Sequence, residues 1–279
     1  MERWMRRWIS WLVIMHEFLV FSLYGAMASW GDVAVGDFRP THDHPTRSAI
    51  FGLVAAALGI RRDEEEKLAA LSDGYNIGIR LDSPGTLLRD YHTAQVPRSG
   101  TKRAMREYPT RRDELKAPVH ISTILSTREY YCDAASTIYL WDRTEDVPYS
   151  LEHLRDALNA PTFVLYLGRK ACPLALPLNA RVVRGESLAE VFASVPFPGE
   201  ALLKPLVQLN RKQLAQPDRM VRVYWEGDED TGIQAVHSGS RHDEPLSRKR
   251  WQFGDRIEHY GVIERQEEDH VSEQNQAQA

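Results

Sequence analysis

The chain has 279 residues, of which 43% are hydrophobic, so it can bury a substantial core as one elaborate domain or two small ones. Its two cysteines, Cys132 and Cys172, belong to no C-x-x-C pair, which argues against a zinc site and a disulfide framework and favours the reducing cytoplasm. The net charge of −4 resides in the tail, because Glu264–Ala279 holds five acidic residues and one basic residue while residues 1–263 are neutral. The net charge therefore does not exclude a nucleic-acid partner.

The N-terminus imitates a secretory signal, with Arg6 and Arg7 directly ahead of the apolar stretch Trp8–Met15. His16 and Glu17 interrupt that stretch, and the sequence has no run of the ~20 apolar residues that a membrane span needs. We therefore expect residues 1–14 to be an extension from a mis-assigned start, with Met15 as the functional start, and we expect no membrane association.

Hydrophobic periodicity predicts the core elements in chain order. Strands are expected at Glu17–Tyr24, Tyr75–Leu81, Cys132–Trp141 and Asn179–Val183, and helices at Thr46–Ile60, Glu64–Leu71, Leu151–Leu158 and, as one turn, Leu188–Phe192. With the connection near 88–127 set aside, the order is strand, helix, strand, strand, helix, strand. This order predicts an α+β, ferredoxin-like βαββαβ core, which is also the architecture of the RNA-recognition module.

Three more strands are expected near the C-terminus, at Met220–Trp225, Gly232–His237 and Arg256–Ile263. We therefore divide the chain into a ferredoxin-like domain over 15–200, with the insertion at about 88–127, and a small C-terminal β extension over 201–263. The acidic tail over 264–279 is expected to be disordered.

The start of the helix at Thr46–Ile60 combines capping and anion-binding chemistry. Pro45 and Thr46 are typical of a helix start. Arg47 and Ser48 follow in the first turn, where outward backbone N–H groups favour an anion. An ordinary buried helix with a solvated Arg47 explains the same pattern, and the sequence leaves both interpretations open.

A basic segment lies inside the long connection. Between Arg98 and Lys116 the chain carries seven basic residues against three acidic ones, which is a plausible footprint for a polyanion. A solvated, charged loop is the alternative interpretation.

Five blocks in order resemble one known family. They are Gly25–Gly31 (G-A-M-A-S-W-G), the Pro45–Ile60 helix, Leu88–Thr93 (L-R-D-Y-H-T), Arg128–Asp133 (R-E-Y-Y-C-D) and Tyr166–Leu174 (Y-L-G-R-K-A-C-P-L). Together they are similar to the Cas-five-type subunits of the type I-E CRISPR surveillance complex, Cascade, which are members of the RAMP superfamily. The likeness covers roughly Phe18–Leu178 and is weaker around Arg241–Trp251.

The resemblance implies a ferredoxin-like core with a protruding hairpin, the thumb, and a small C-terminal part. It implies a subunit that holds the 5′ handle of the CRISPR RNA (crRNA) and caps the filament of Cas-seven-type backbone subunits. It also implies contact with the large subunit that recognises the PAM, and hence with target DNA through the complex. Because a separate Cas-six-type endonuclease processes the RNA in type I-E systems, no cleavage and no cofactor are expected.

Under this resemblance, cations, flat rings and a close-approach glycine become the RNA-binding candidates. They are Arg47, Ser48, Arg89, Tyr91, His92, Lys102, Arg103, Arg106, Arg111, Arg112, Gly168, Arg169 and Lys170. Trp30 is expected to be a buried anchor of the first loop. The cluster Arg241–Glu244 with Arg248–Arg250 is expected to contact either RNA or a neighbouring protein.

Three other readings are weighed against RNA holding. A metal-independent endoribonuclease would use Tyr91, His92 and Lys102 to move protons around a 2′-hydroxyl, but their spacing is not diagnostic. A metal site at His42–His44 lacks a third ligand at recognisable spacing. A protein scaffold without RNA contact would leave the basic connection unexplained.

Overall fold

The computed structural model describes residues 15–97, 109–116, 121–197, 220–227 and 231–264. The expectations for residues 1–14, for Lys102, Arg103 and Arg106, and for the tail beyond Glu264 lie outside these residues. Within the described ranges, no helix combines the length and apolar character required to cross a membrane.

Strands and helices are interspersed as far as α5, and strands alone follow among the described residues. The strands are β1 (His16–Tyr24), β2 (Met27–Ala28), β3 (Phe38–Arg39), β4 (Tyr75–Ser83), β5 (Thr86–Pro97), β6 (Ile121–Cys132), β7 (Ala135–Asp142), β8 (Arg181–Gly185), β9 (Met220–Trp225), β10 (His237–Ser247) and β11 (Gln252–Glu264). The helices are α1 (Arg47–Leu58), α2 (Glu65–Gly74), α3 (Arg111–Lys116), α4 (Leu151–Asn159) and α5 (Leu188–Ser194).

A seven-stranded sheet forms the centre of the protein. Its order is β10-β11-β9-β4-β7-β1-β8, and all neighbouring strands are antiparallel. β1 is buried on both faces, because its odd residues Leu19, Phe21 and Leu23 join the core beneath α1 and α4 while Phe18 and Val20 join the core beneath α5. This two-sided burial explains the continuous apolar run in its sequence.

The helix at the second sequence block begins as predicted, and it ends at Leu58, two residues before the predicted end at Ile60. Thr46 caps α1 by accepting a hydrogen bond from the backbone N–H of Ala49, and Gly59 ends it with φ of 78°. Gly59 donates to the last-turn carbonyls, which is the usual role of glycine in a left-handed C-cap. The predicted helix is confirmed.

A long hairpin separates β4 from β7. β5 and β6 pair over 12 residues each, from Thr86 opposite Cys132 to Pro97 opposite Ile121. At about 3.3 Å per residue this ladder is roughly 40 Å long. The short strands β2 and β3 also pair with β6 and form a second, four-stranded sheet.

Several predicted bounds need correction. The strand predicted at Cys132–Trp141 begins at Ala135, because Asp133 has φ of 57° and turns the chain out of β6. The strand predicted at Asn179–Val183 begins at Arg181, after Asn179 at φ of 48°.

The strand predicted at Gly232–His237 is wrong. Gly232 has φ of 71°, which is not strand geometry, and β10 begins only at His237. The C-terminal strands also extend the main sheet, since β9 pairs with β4. β9, β10 and β11 therefore belong to the same sheet as β1 and β4.

Candidate nucleic-acid interface

Arg47 occupies the first turn of α1 but does not face solvent. Its side chain is fully buried, and its guanidinium pairs with the carboxylates of Glu226 and Glu244, the latter at 2.6 Å. It also donates to the carbonyl oxygens of Ser72 at 2.5 Å and Tyr75 at 3.3 Å. The prediction that Arg47 contacts phosphate is therefore wrong, because its cation is already held inside the fold.

A buried ionic network surrounds Arg47 and joins α1 to the C-terminal strands. Arg256 pairs with Asp243 at 2.6 Å and with Glu258 at 2.5 Å. Glu258 also accepts from Arg241 at 2.8 Å, and its carboxylate lies 3.0 Å from a ring nitrogen of His44. Buried charges persist only when they are paired, so this network fixes the start of α1 against β10 and β11.

Two residues of the cluster Arg241–Glu244 have a structural role in this network. Side chains alternate across a strand, and Arg241 and Asp243 of β10 are buried in the network. His242 points to the other side, where it is exposed and lies 2.7 Å from Asp255. Arg241 and Asp243 therefore hold the fold and are not surface contacts for RNA or protein.

Asp43 at the edge of this network makes the stability of the fold depend on pH. A hydrogen bond from His44 lowers the pKa of Asp43 from 3.8 to about 2, and Arg222 at 2.9 Å acts in the same direction. A carboxyl group whose folded pKa is depressed adds stability that is complete above its unfolded pKa and disappears as pH falls through its folded pKa.

Asp43→Asn is therefore expected to lower the free energy of unfolding at pH 7, with the deficit relative to wild type shrinking between about pH 4 and pH 2. Urea unfolding at a series of pH values measures this deficit. Asp255→Asn, which removes an exposed carboxylate on β11, serves as the matched control. A deficit that stays constant down to pH 2 would show that Asp43 acts through its shape and not through its charge.

The open side of α1 contributes to a large groove. Its volume is about 820 Å³, and its walls include Ser48 of the first helical turn together with Gly168 and Arg169. Three of the predicted RNA-binding residues from two separated sequence blocks therefore meet in one concave surface. Ser48 is partly exposed there, in contrast to the adjacent Arg47.

The loop that carries Gly168 is tightly folded. Tyr166 and Pro173 form an isolated bridge, and Leu167 donates to the carbonyl of Cys172 at 2.8 Å. Gly168 has φ of 79°, and a Cβ at this position would overlap the carbonyl oxygen of Ser29. Glycine is therefore required both for the backbone conformation and for the close approach of the two loops.

Arg169 is partly structural. Its guanidinium donates to the carbonyl oxygens of Glu129 at 3.2 Å and Arg39 at 3.1 Å, and it lies 4.8 Å from the ring centroid of Tyr130. These partners are neutral, so they hold the guanidinium at the wall of the groove without cancelling its charge. Lys170 is exposed next to it.

The groove also contains Arg248, which follows β10, and four residues that sequence reasoning missed. They are Arg61 and Arg62 after α1, Trp251 at the β10–β11 turn, and Phe253 at the start of β11. Arg248 belongs to the basic cluster whose role the sequence leaves undecided, and it donates to the carbonyl of Ser48. The dipeptide Arg61-Arg62 after a helix C-cap is a local signal, whereas nothing near Trp251 in the sequence points to α1.

The hairpin holds the remaining described candidates away from a common centre. Arg89 pairs with Glu129, its cross-strand neighbour, at 2.7 Å. Tyr91 is exposed, and His92 lies 3.8 Å from Asp90 on its own side of the strand. Consecutive strand residues point to opposite faces, so Tyr91 and His92 do not converge on one reacting group.

The helix between β5 and β6 carries two further candidates. Arg111 and Arg112 are exposed on α3.

The His42–His44 segment is engaged in the fold. His42 lies 3.4 Å from Asp32, and His44 lies 2.6 Å from Asp43 and is stacked on Tyr224 at 3.7 Å between ring centroids. Across the described ranges, no group of three or more His, Cys, Asp or Glu residues is arranged to hold a metal ion.

Trp30 is buried, as predicted for an anchor of the first loop. Its backbone N–H donates to the hydroxyl of Thr41 at 2.8 Å, which ties the start of the loop to its end.

Comparisons with known proteins give a consistent family assignment. The family model described as "CRISPR-associated protein (Cas_Cas5)" matches residues 18–257. The CRISPR system Cascade subunit CasD of Escherichia coli (strain K12) is 36% identical over 172 residues, which are 59% of this chain and 70% of CasD.

Solved structures share the fold. A chain of a CRISPR RNA-guided surveillance complex superposes with a TM-score of 0.53 at 23% identity, covering 89% of this chain and 90% of that chain. A crystal structure of a Cas protein gives a TM-score of 0.53 at 24% identity, covering 89% of this chain and 95% of that chain. The family model spans most of the sequence, and the chain belongs to the Cas5 family of CRISPR-associated proteins.

Proposed function

We propose that this chain is a non-catalytic subunit of a type I-E CRISPR surveillance complex, Cascade, in which it binds the 5′ handle of crRNA and caps the filament of Cas-seven-type subunits. Its likeness to a protein named as a Cascade subunit supports the complex. Contacts with the large PAM-recognising subunit and, through the complex, with target DNA are part of the same proposal.

The fold supports this role through its strand order. β1, β4, β7 and β8 lie in the order β4-β7-β1-β8, with α1 following β1 and α4 following β7. We assign these elements to a ferredoxin-like core and the β5–β6 hairpin to the thumb. In this assignment the exposed basic residues of the thumb, including Arg111 and Arg112, extend along the RNA towards the adjacent backbone subunit.

The groove beside α1 is the observation that carries the proposal. Among its described lining residues are four arginines, Arg61, Arg62, Arg169 and Arg248, and two aspartates, Asp32 and Asp243. Asp243 is committed to the buried network through Arg256, so the open part of the groove is positive. A positive groove with exposed aromatic rings is the usual way in which proteins hold single-stranded RNA.

The decisive experiment incubates the purified chain with labelled CRISPR repeat RNA, with and without chelator, and resolves the products on native and denaturing gels. We expect a salt-sensitive shift with intact RNA. The slope of log affinity against log salt concentration is negative. In the double variant Arg61→Ser/Arg62→Ser, its magnitude should decrease by about 0.7 for each phosphate that the protein ceases to neutralise. Arg184→Ser, which removes an exposed arginine on β8, is the matched control.

The same gels test the endoribonuclease alternative. Chelator-resistant cleavage that His92→Ala abolishes would replace the handle-binding role with a nuclease. Binding that is unchanged by salt and by the double variant would show that the groove is not the RNA site.

A further inference from the structure

Trp251 is held in an unusual, exposed position at the turn between β10 and β11. Its φ is 56°, a conformation that bulky residues rarely adopt, and 59% of its surface is exposed. By contrast Trp30, which lines the same groove, is 7% exposed and is explained by burial. Burial alone does not explain Trp251, and strained backbone is retained where a function requires a side chain to point in one direction.

Two neighbours orient the indole ring. Phe253 meets it edge-on, with ring centroids 5.6 Å apart and an interplanar angle of 86°. The guanidinium of Arg62 lies 5.4 Å from the centroid of the Trp251 ring. Because these contacts come from two different parts of the chain, the ring is fixed relative to the α1 wall of the groove.

The cations around the ring are suited to a polyanion. Arg248 lies 5.9 Å from the Phe253 ring centroid and donates to the carbonyl of Ser48, so it links the aromatic pair to the start of α1. Burial is the main cause that lowers the pKa of Arg248, with the neighbouring Arg62 acting in the same direction. An anion between these two arginines would relieve their mutual repulsion.

We propose that Trp251 forms a stacking platform for one unpaired base of single-stranded RNA, with Arg62 and Arg248 contacting the phosphates that flank it. This inference rests on the proposed function and names the residues that receive a base within the groove. Stacking on an aromatic ring suits any base, whereas the adjacent arginines select a chain of phosphates. A proline-rich peptide would use the rings without needing the arginines, so the charge of the groove favours RNA.

The experiment combines protein variants with base removal. The full-length chain is titrated against fluorescently labelled single-stranded repeat RNA, and against a set of the same RNAs that each carry one abasic nucleotide. We expect Trp251→Ala to weaken binding to the intact RNA about tenfold, as loss of one base–aromatic stack does. Trp251→Phe should retain most of the affinity because it keeps a stacking ring.

A double-mutant comparison identifies the stacked base. At one position the abasic RNA should bind wild type about as weakly as Trp251→Ala binds intact RNA, and the two changes together should add little. Ile257→Ala, which trims an exposed apolar side chain on β11, should leave the affinity unchanged. Thermal melting of each variant verifies that the fold is intact.

The outcomes separate this inference from the proposed function. Salt-sensitive binding that Trp251→Ala leaves unchanged would overturn the platform while retaining the RNA-binding role. Additive losses at every abasic position would also overturn it, since Trp251 would then act apart from any base. Loss of binding to a partner subunit without loss of RNA affinity would assign Trp251 to a protein contact. An unmodified chain that does not bind RNA would contradict both proposals.

Discussion

Arg47→Ala is expected to lower the free energy of unfolding by roughly 3–5 kcal/mol, because it removes one partner from a buried ion pair and leaves the other without its main cation. The partner is Glu226, which is 3% exposed. Burial raises the pKa of Glu226, and Arg47, Arg256 and Arg143 oppose this rise. Without Arg47 the effect of burial is opposed less strongly, so the pKa of Glu226 rises further and its carboxylate form becomes more costly to bury.

Urea unfolding measures this loss, with Arg61→Ala as the control because Arg61 is an exposed arginine just beyond the same helix. Glu226→Gln in the Arg47→Ala background should recover part of the stability, since a neutral amide costs less to bury than a carboxylate that has lost its main cation. If Arg47→Ala unfolded at the wild-type urea concentration but failed to bind RNA, Arg47 would be an RNA contact and the buried network would not explain it.

The error over Arg47 has a physical origin. The helix start at Thr46 is predictable because capping depends on residues three positions apart. The burial of the Arg47 side chain depends on its ion pair with Glu226, which lies 179 positions later in the chain. No local sequence pattern indicates that contact. An arginine in the first turn of a helix is usually solvated, so local reasoning favours the surface.

The fold is more accessible to sequence reasoning than the site. The apolar run of β1 matches its continuous burial, and the helical spacing of the apolar residues in α1 matches the face that it buries. The alternating pattern of β4 predicts the strand correctly, although its residues from Tyr75 to Leu81 are all buried. The strand predicted before β10 fails because Gly232 adopts a positive φ that strand periodicity does not reveal. The pairing of β9 with β4 depends on tertiary packing, and the apolar pattern within each strand does not predict it.

The groove can be predicted only in part. Local chemistry distinguishes Gly168 and Ser48 separately, and the fold brings them together. Arg62 and Trp251 escape sequence reasoning because their contact is formed by the packing of the β10–β11 turn near the end of α1. Sequence indicates which residue types favour RNA, whereas the sheet determines which of them share a surface.

Gly168→Ala is expected to be the most damaging single change in the groove, with a loss of roughly 2–5 kcal/mol from the positive φ and the steric overlap together. The added methyl group would overlap the carbonyl of Ser29, which belongs to backbone and cannot rotate away as a side chain does. The hydrogen bond from Ser29 to the carbonyl of Leu167, at 3.1 Å, would break as the loops separate.

Gly36→Ala provides the matched control, because Gly36 has φ of 58° but no atom within 4 Å of an added Cβ. It should cost only about 1 kcal/mol, the conformational share of the effect. Chemical denaturation of both variants therefore separates strain from overlap. Displacement of the Gly168 loop would also move Arg169 from the groove wall, so RNA affinity should fall in Gly168→Ala and not in Gly36→Ala. Equal stability losses in the two variants would mean that the loops can part freely, and Gly168 would then matter only for its backbone conformation.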